Sequence, residues 1–342
     1  MDKKLAIQKY ARPILLALAV LVIASALVCI TIGRYPVSLP DVLTAFAAQT
    51  SGATEGVSET VQSVVFNIRL PRVILAVALG AGLACAGAAF QSLFSNPLAT
   101  PDTLGVTAGA SVGAVLAMLF DADMLTVQAV ALLFGLGSVA LTVSVARLHG
   151  KTSIVMLVLA GVIVSAIFQA AISLLKYTAD PLSKLPEITY WLMGSLAGKT
   201  FESLAFGLPF IIVGVIVIFS LRWRLNILML SEDEAHAAGI RVQRLRVITV
   251  VASTMITASC VSMCGQVGWV GLLIPHCARM ICGNNNRFVI PFSIVLGAVF
   301  MLVIDTMART VIASEIPISI LTALIGAPFF IVLLRRTGGG WQ

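Results

Sequence analysis

The chain has 342 residues, 59% hydrophobic and only 11% charged, with a formal net charge of +7. Soluble domains are about 45–50% apolar and about 25% charged, so this composition excludes a water-covered globule and makes lipid the solvent for much of the chain. The basic excess falls in short groups between apolar runs, a pattern of membrane topology signals and not of a nucleic-acid surface.

Taken in chain order, the first apolar run is Pro13 to Gly33, behind Lys3, Lys4, Lys9 and Arg12. It exceeds the roughly 7–15 residues of a signal-peptide core and lacks a small-x-small cleavage site; bulky Val28 precedes Cys29, where a lipoprotein signal needs a small residue. It reads as a retained first span. A helical crossing needs about 20 apolar residues, and the runs 62–93, 103–120, 124–146, 153–176, 203–221, 243–264, 288–311 and 317–334 follow. The segment 270–282, VGLLIPHCARMIC, is shorter and interrupted by Pro275; it makes ten spans if it crosses and nine if it is re-entrant.

Charge decides between those counts. With ten spans and both termini inside, the inner side holds Lys3, Lys4, Lys9, Arg12, Arg147, Lys151, Arg222, Arg224, Arg241, Arg244, Arg246, Arg279, Arg287, Arg335 and Arg336, fifteen in all. The outer side holds Arg34, Arg69, Arg72, Lys176, Lys184, Lys199 and Arg309, seven in all. Cytoplasmic loops carry the excess of Lys and Arg, so ten spans are expected, in one all-α transmembrane domain over 1–342. The run 62–93 is longer than one crossing and must tilt or extend beyond the lipid. Its small residues Gly80, Ala84 and Ala88 recur every four positions, as do Gly105, Gly109 and Gly113 on the third span, and such stripes let helix backbones approach closely.

Two connections stand out. SNPLATPDT, 95–103, has two prolines and reaches Asp102, a suitable cap for the third span. The longest inner connection is RWRLNILMLSEDEAHAAGIRVQRLR, 222–246. Within it Ser231 and Glu234 form a capping box, Glu232 and Asp233 complement the helix dipole, and Gly239 ends the turn. A short helix over 232–238 at the inner surface serves either as a partner's docking surface or as an ordinary loop helix.

Catalytic constellations do not emerge. His149, His236 and His276 fall on separate inner connections, and no Ser/His/Asp set or carboxylate pair suggests itself. GSLAGKT, 194–200, resembles a phosphate-binding loop but has three residues between its glycines where four are needed, follows no strand, and lies on the outer side. Ion coupling would need buried acidic groups near mid-membrane; Asp305 is the main candidate, and an i,i+4 pair with Arg309 accounts for it. The six cysteines, including Cys260 and Cys264 on one helix face, read as small apolar packing groups and not as metal ligands.

At this point the residues match a known family. RLPRVILAVALGAGLACAGAAFQSLFSNPLATPDTLGVTAGA resembles the signature region of permease subunits of bacterial ABC importers for iron–siderophores, haem and vitamin B12 (FecCD/BtuC-like). LMLSEDEAHAAGI, GWVGLLIPHCAR and IPISILTALIGAPFF resemble three further blocks in the family's order, and ITYWLMGSL a fifth, so the resemblance covers nearly the whole chain. It implies a type II ABC importer permease of ten transmembrane helices, in the bacterial inner membrane with both termini cytoplasmic. The implied partners are a second permease subunit, most simply an identical one, two ATP-binding subunits that carry ATP and Mg, and an extracytoplasmic substrate-binding protein. The chain itself would be no enzyme and hold no cofactor.

By resemblance, Arg69, Arg72 and Arg309 match outward arginines that receive acidic residues of the binding protein, where charge-assisted contacts orient and speed docking. Ser231, Glu232, Asp233, Glu234, Ala235, Ala238 and Gly239 match the coupling helix that sits in a cleft of the ATPase. Asn96 and Leu98 match the cytoplasmic gate, and Tyr190, Trp191, Met193 and Gly194 should line the pathway. Ser231, Trp269 and Ser319 depart from the family's usual Gly, Phe and Gly. The expected cargo is a ferric siderophore, with haem, cobalamin and molybdate as alternatives; an ion-coupled carrier or a channel is the rival of another class.

Overall fold

Backbone groups in lipid have no water to bond, so a spanning chain closes its hydrogen bonds within helices or within a closed barrel. The computed structural model, which describes residues 10–51, 58–147, 153–229, 241–312 and 314–337, takes the first solution: among the described residues every regular element is helical. The helices are α1 (Ala11–Thr31), α2 (Leu39–Ser51), α3 (Glu59–Leu93), α4 (Val106–Leu119), α5 (Met124–Ala146) and α6 (Ile154–Thr178). They continue with α7 (Lys184–Leu192), α8 (Phe201–Leu221), α9 (Val242–Cys264), α10 (Val270–Cys282), α11 (Asn286–Thr310) and α12 (Ile318–Thr337).

Seven of these, α1, α3, α5, α6, α8, α9 and α11, are long and apolar enough to cross a membrane; α4, α10 and the apolar part of α12 are shorter. The ten expected runs are thus all present as helices, but not as ten full-length ones. The third run is curtailed at its start. Pro101–Leu104 forms a 3-10 turn closed by a Thr100/Thr103 capping box, and Gly105, at φ +83°, opens α4. Fourteen residues at 1.5 Å each make α4 about 21 Å long, short of the roughly 30 Å hydrocarbon core. Asp102 does not cap α4 as expected; it accepts a hydrogen bond from the Thr107 hydroxyl instead. Two elements were not anticipated, α2 and α7. The first had a readable signal, since Ser38 and Asp41 bond each other's backbone N–H as a reciprocal cap.

α3 is the hub. Its most apolar stretch is 78% buried, against 11% for α1 and 22% for α6, and it packs on α8, α9, α10 and α11. Its first part is distorted: Val64–Arg69 form a π-helical segment just ahead of Pro71. Proline donates no hydrogen bond and its ring crowds the carbonyl four residues back, and a π-turn is one way a helix absorbs this. The small-residue stripe does what its spacing predicts. A Cβ on Gly80 would lie 2.0 Å from the carbonyl oxygen of Gly297 on α11, and one on Gly87 would lie 1.9 Å from that of Gly271 on α10. Gly109 and Gly113 meet α5 in the same way. The cysteines are free thiols, five buried and Cys277 partly so, as expected of packing groups.

The Gly80–Gly297 approach makes a sharp prediction. Gly80→Ala drives a methyl into backbone that cannot swing aside and should destabilise the protein by about 1–3 kcal/mol. Gly137→Ala, where nothing lies within 4 Å, should be neutral or stabilise by up to about 1 kcal/mol. Thermal unfolding of the two purified variants checks both.

Candidate functional site

Arg72 lies eight residues before Gly80, and Asp305 eight residues after Gly297. In an antiparallel crossing centred on those glycines, both positions sit about 12 Å along the axis from the contact point. Their meeting is therefore a consequence of register. Arg72 Nε donates to Asp305 Oδ1 at 2.7 Å and its Nη1 to Glu315 Oε1 at 2.8 Å, in the connection to α12. The i,i+4 pair read from the sequence is also present, with Arg309 Nε 3.5 Å from Asp305 Oδ2.

The other two arginines serve the first helix. The last carbonyls of a helix have no partner within it and carry the negative end of its dipole. Arg69 donates to the carbonyls of Ile30 (2.6 Å), Thr31 (3.0 Å) and Tyr35. Arg309 donates to those of Cys29 and Ile32. Two guanidinium groups from α3 and α11 thus cap the C-terminal end of α1. Gly33 makes room for this, since a Cβ there would lie 2.6 Å from Arg69 Nη2.

The arrangement corrects one feature of the expectation. Arg69, Arg72 and Arg309 converge at one end of the bundle, but they do not stand in solvent: they are 4%, 6% and 7% exposed, and Asp305 is 1% exposed. Orphaned helix carbonyls and a buried carboxylate draw the guanidinium groups inward. Sequence reasoning missed Glu315, whose only signal was its position as an isolated carboxylate in the connection before α12, and missed Gly33 altogether.

At the opposite end a second polar set appears. The expected gate loop leaves α3 through Ser95, at φ +46°. Asn96 Oδ1 accepts from Leu98 N–H at 2.9 Å, which holds Leu98 half exposed. Ser95 Oγ donates to the Leu228 carbonyl at 3.4 Å, in a 3-10 turn, Arg224–Met229, that follows α8. From the same turn Asn226 donates to Asn285 Oδ1 (3.0 Å) and accepts from Asn286 N–H (2.8 Å). Asn286 Oδ1 in turn accepts from Ser92 Oγ at 2.9 Å. The end of α3, the turn after α8 and the start of α11 are thereby one hydrogen-bonded unit. The expected coupling residues Ser231, Glu232, Asp233, Glu234, Ala235, Ala238 and Gly239 lie outside the described residues, but this turn leads directly into them.

The expected pathway residues divide. Tyr190 is 43% exposed, whereas Trp191 is buried beside Ile188 in a side core and Gly194 is buried at φ +76°. The carbonyls of Met193 and Gly194 accept from Ser319 and Ile318, and the Ser319 hydroxyl adds a 2.6 Å bond to Met193. Ser319, where the family usually has glycine, thus ties the start of α12 to the end of α7. The GSLAGKT segment lies between α7 and α8, and burial of Lys199 within it pushes its ammonium below the ordinary range.

The buried ion pair is testable by itself. Arg72→Ala strands Asp305 and should cost about 3–5 kcal/mol, read as a large fall in melting temperature. Adding Asp305→Ala in the same chain should restore part of that loss; a double variant as unstable as the sum of the two single ones would refute the pairing.

Set against known proteins, the fold and these segments find close counterparts. The molybdate import system permease protein MolB of Haemophilus influenzae is 40% identical over 328 residues, 96% of each chain. The cobalamin import system permease protein BtuC of Halobacterium salinarum is 38% identical over 281 residues, 82% of this chain and 75% of that one. A solved inward-facing structure, provisionally assigned as a metal-chelate type ABC transporter, superposes with a TM-score of 0.85 at 39% identity, covering 95% of this chain and 99% of that one. The profile of the FecCD transport family matches residues 19–336. A match of that extent, with the helical order of a solved relative, places the chain in the FecCD transport family.

Proposed function

We infer that the chain is the membrane-spanning permease of an ABC importer of the metal-chelate type, carrying no covalent chemistry itself. The observation that carries this reading is the likeness, along 95% of the chain, to a solved structure provisionally assigned as a metal-chelate type ABC transporter. All ten apolar helices would cross the bilayer, the three shorter ones included, with both termini at the more basic, cytoplasmic face.

The path needs a second copy of the chain. α6 leaves Val155, Leu159, Val162, Ile163 and Ile167 more than half exposed, an apolar face suited to an identical partner, and Tyr190, itself 43% exposed, would be a wall residue. The segment 231–239 would enter the ATPase, and ATP and Mg would bind there and not in this chain. Displacement of that segment would reach the gate through Asn226, Asn286 and Ser92, because the bonds among them leave the turn after α8 no independent motion from the end of α3. The binding protein would dock on the opposite face. Arg69, Arg72 and Arg309 would contribute there chiefly by holding the surface segments around 32–38 and 314–317 in place, with Glu315 at its rim.

For the cargo, a ferric siderophore remains the first proposal. Molybdate is the second, favoured by the 40% identity to a permease named for it. Vesicles holding the permease with its ATPase and binding protein should take up radiolabelled cargo with ATP and keep doing so when ion gradients are collapsed; dependence on the gradient would overturn the reading. Deleting residues 231–239 should cut uptake at least tenfold while the ATPase still hydrolyses ATP. Parallel uptake of labelled ferric siderophore and labelled molybdate separates the two cargoes.

A further inference from the structure

Two breaks in the helical backbone meet inside the bundle. The 3-10 turn Pro101–Leu104 precedes α4, and residues 265–269 join α9 to α10. Both line one small crevice, which also takes in Leu83 of α3. Leu83 lies ten residues before the end of α3, or about 15 Å, which is half of the roughly 30 Å hydrocarbon core. At such a depth non-helical backbone is tolerated only where protein buries it or where it borders a cavity.

The crevice encloses about 20 Å³ open to a water-sized particle, room for a single such occupant. Asp102 stands at its exposed side, and Thr257 of α9 belongs to its buried wall at 2% exposure. The Thr107 hydroxyl donates to Asp102 Oδ1. The Thr257 hydroxyl is shut off from solvent with no hydrogen-bond partner among the described residues, a costly state for a polar group. Charge is unbalanced as well. Asp305 has Arg72 as its counterion, whereas no Lys, Arg or His lines the crevice at Asp102. Acidic groups within spanning segments pair with a cation or mark an ion site.

We propose that this crevice binds one sodium ion, held by the Asp102 carboxylate and the hydroxyl oxygens of Thr257 and Thr107. The donor set selects the ion. Carboxylate and hydroxyl oxygens are hard ligands, and one carboxylate matches one positive charge. Calcium takes about six to eight oxygens, several of them charged. No group of three His, Cys, Asp or Glu that could hold a metal occurs among the described residues, which sets transition metals aside. A water molecule would satisfy Thr257 but leave the carboxylate's charge unmatched. The ion joins the turn before α4 to α9, beside the loop expected to gate the path. It is a fixed link there and not a driving ion, so uptake needs sodium but no sodium gradient. That role rests on the permease reading; the binding of sodium does not depend on cargo or partners.

The test is equilibrium binding of radioactive sodium to the purified full chain, with choline chloride as the balancing salt. The natural chain should bind a single sodium ion at millimolar concentration, and replacing choline by sodium should raise its melting temperature. Asp102→Asn should abolish binding, and Thr257→Val, close to the natural side chain in shape, should weaken it at least tenfold. Only protein that elutes as the natural chain does is scored; should Asp102→Asn fail to fold, Thr257→Val decides by itself. No sodium bound by the natural chain, or undiminished binding in the scored variants, overturns the proposal. Either result removes the ion site alone. The importer reading stands or falls on its own uptake assay, run with equal sodium on both sides.

Discussion

Where α3 crosses α11, Gly80 and Gly297 let two backbones approach so closely that a single added methyl would collide with a carbonyl oxygen. In lipid, helices gain nothing from hiding apolar side chains from one another, so this kind of contact, dense and backbone to backbone, is what holds a bundle together. The crossing does more than join two helices. It sets their relative register, and register decides which side chains meet a dozen ångströms away. The pairing of Arg72 with Asp305, and the presentation of Arg69 and Arg309 to the end of α1, are downstream of that approach.

The same arginines show how burial changes a residue's part. A guanidinium in water is a docking group; placed over the exposed carbonyls of a helix end, in a region of low dielectric, it becomes a clamp. That end of the bundle then owes its shape to cations bound by the chain's own carbonyls and carboxylates.

At the other end, side-chain amides do comparable work. Asn226, Asn285 and Asn286 join the turn after α8 to the start of α11, and Ser92 and Ser95 join both to the end of α3. Hydrogen bonds of this kind, 2.8–3.4 Å long and buried or partly buried, tie three chain segments together. The turn after α8 is thereby bonded directly to the end of the hub helix.

Much of this was readable in the chain itself. Apolar runs located the helices, because lipid tolerates no other backbone solution for a chain of this composition, and the four-residue spacing of Gly80, Ala84 and Ala88 marked a packing face. The blocks around 69–110, 228–240, 268–279 and 316–330 pointed to the family. What the chain alone did not decide was the direction of side chains whose partners are distant in sequence. Arg72 and Glu315 are separated by 243 positions, and Arg69 reaches carbonyls of a helix that ended before it began. No local period encodes such contacts: they exist only once helices have packed, and packing alone determined that three arginines turn inward to close the protein's own surface.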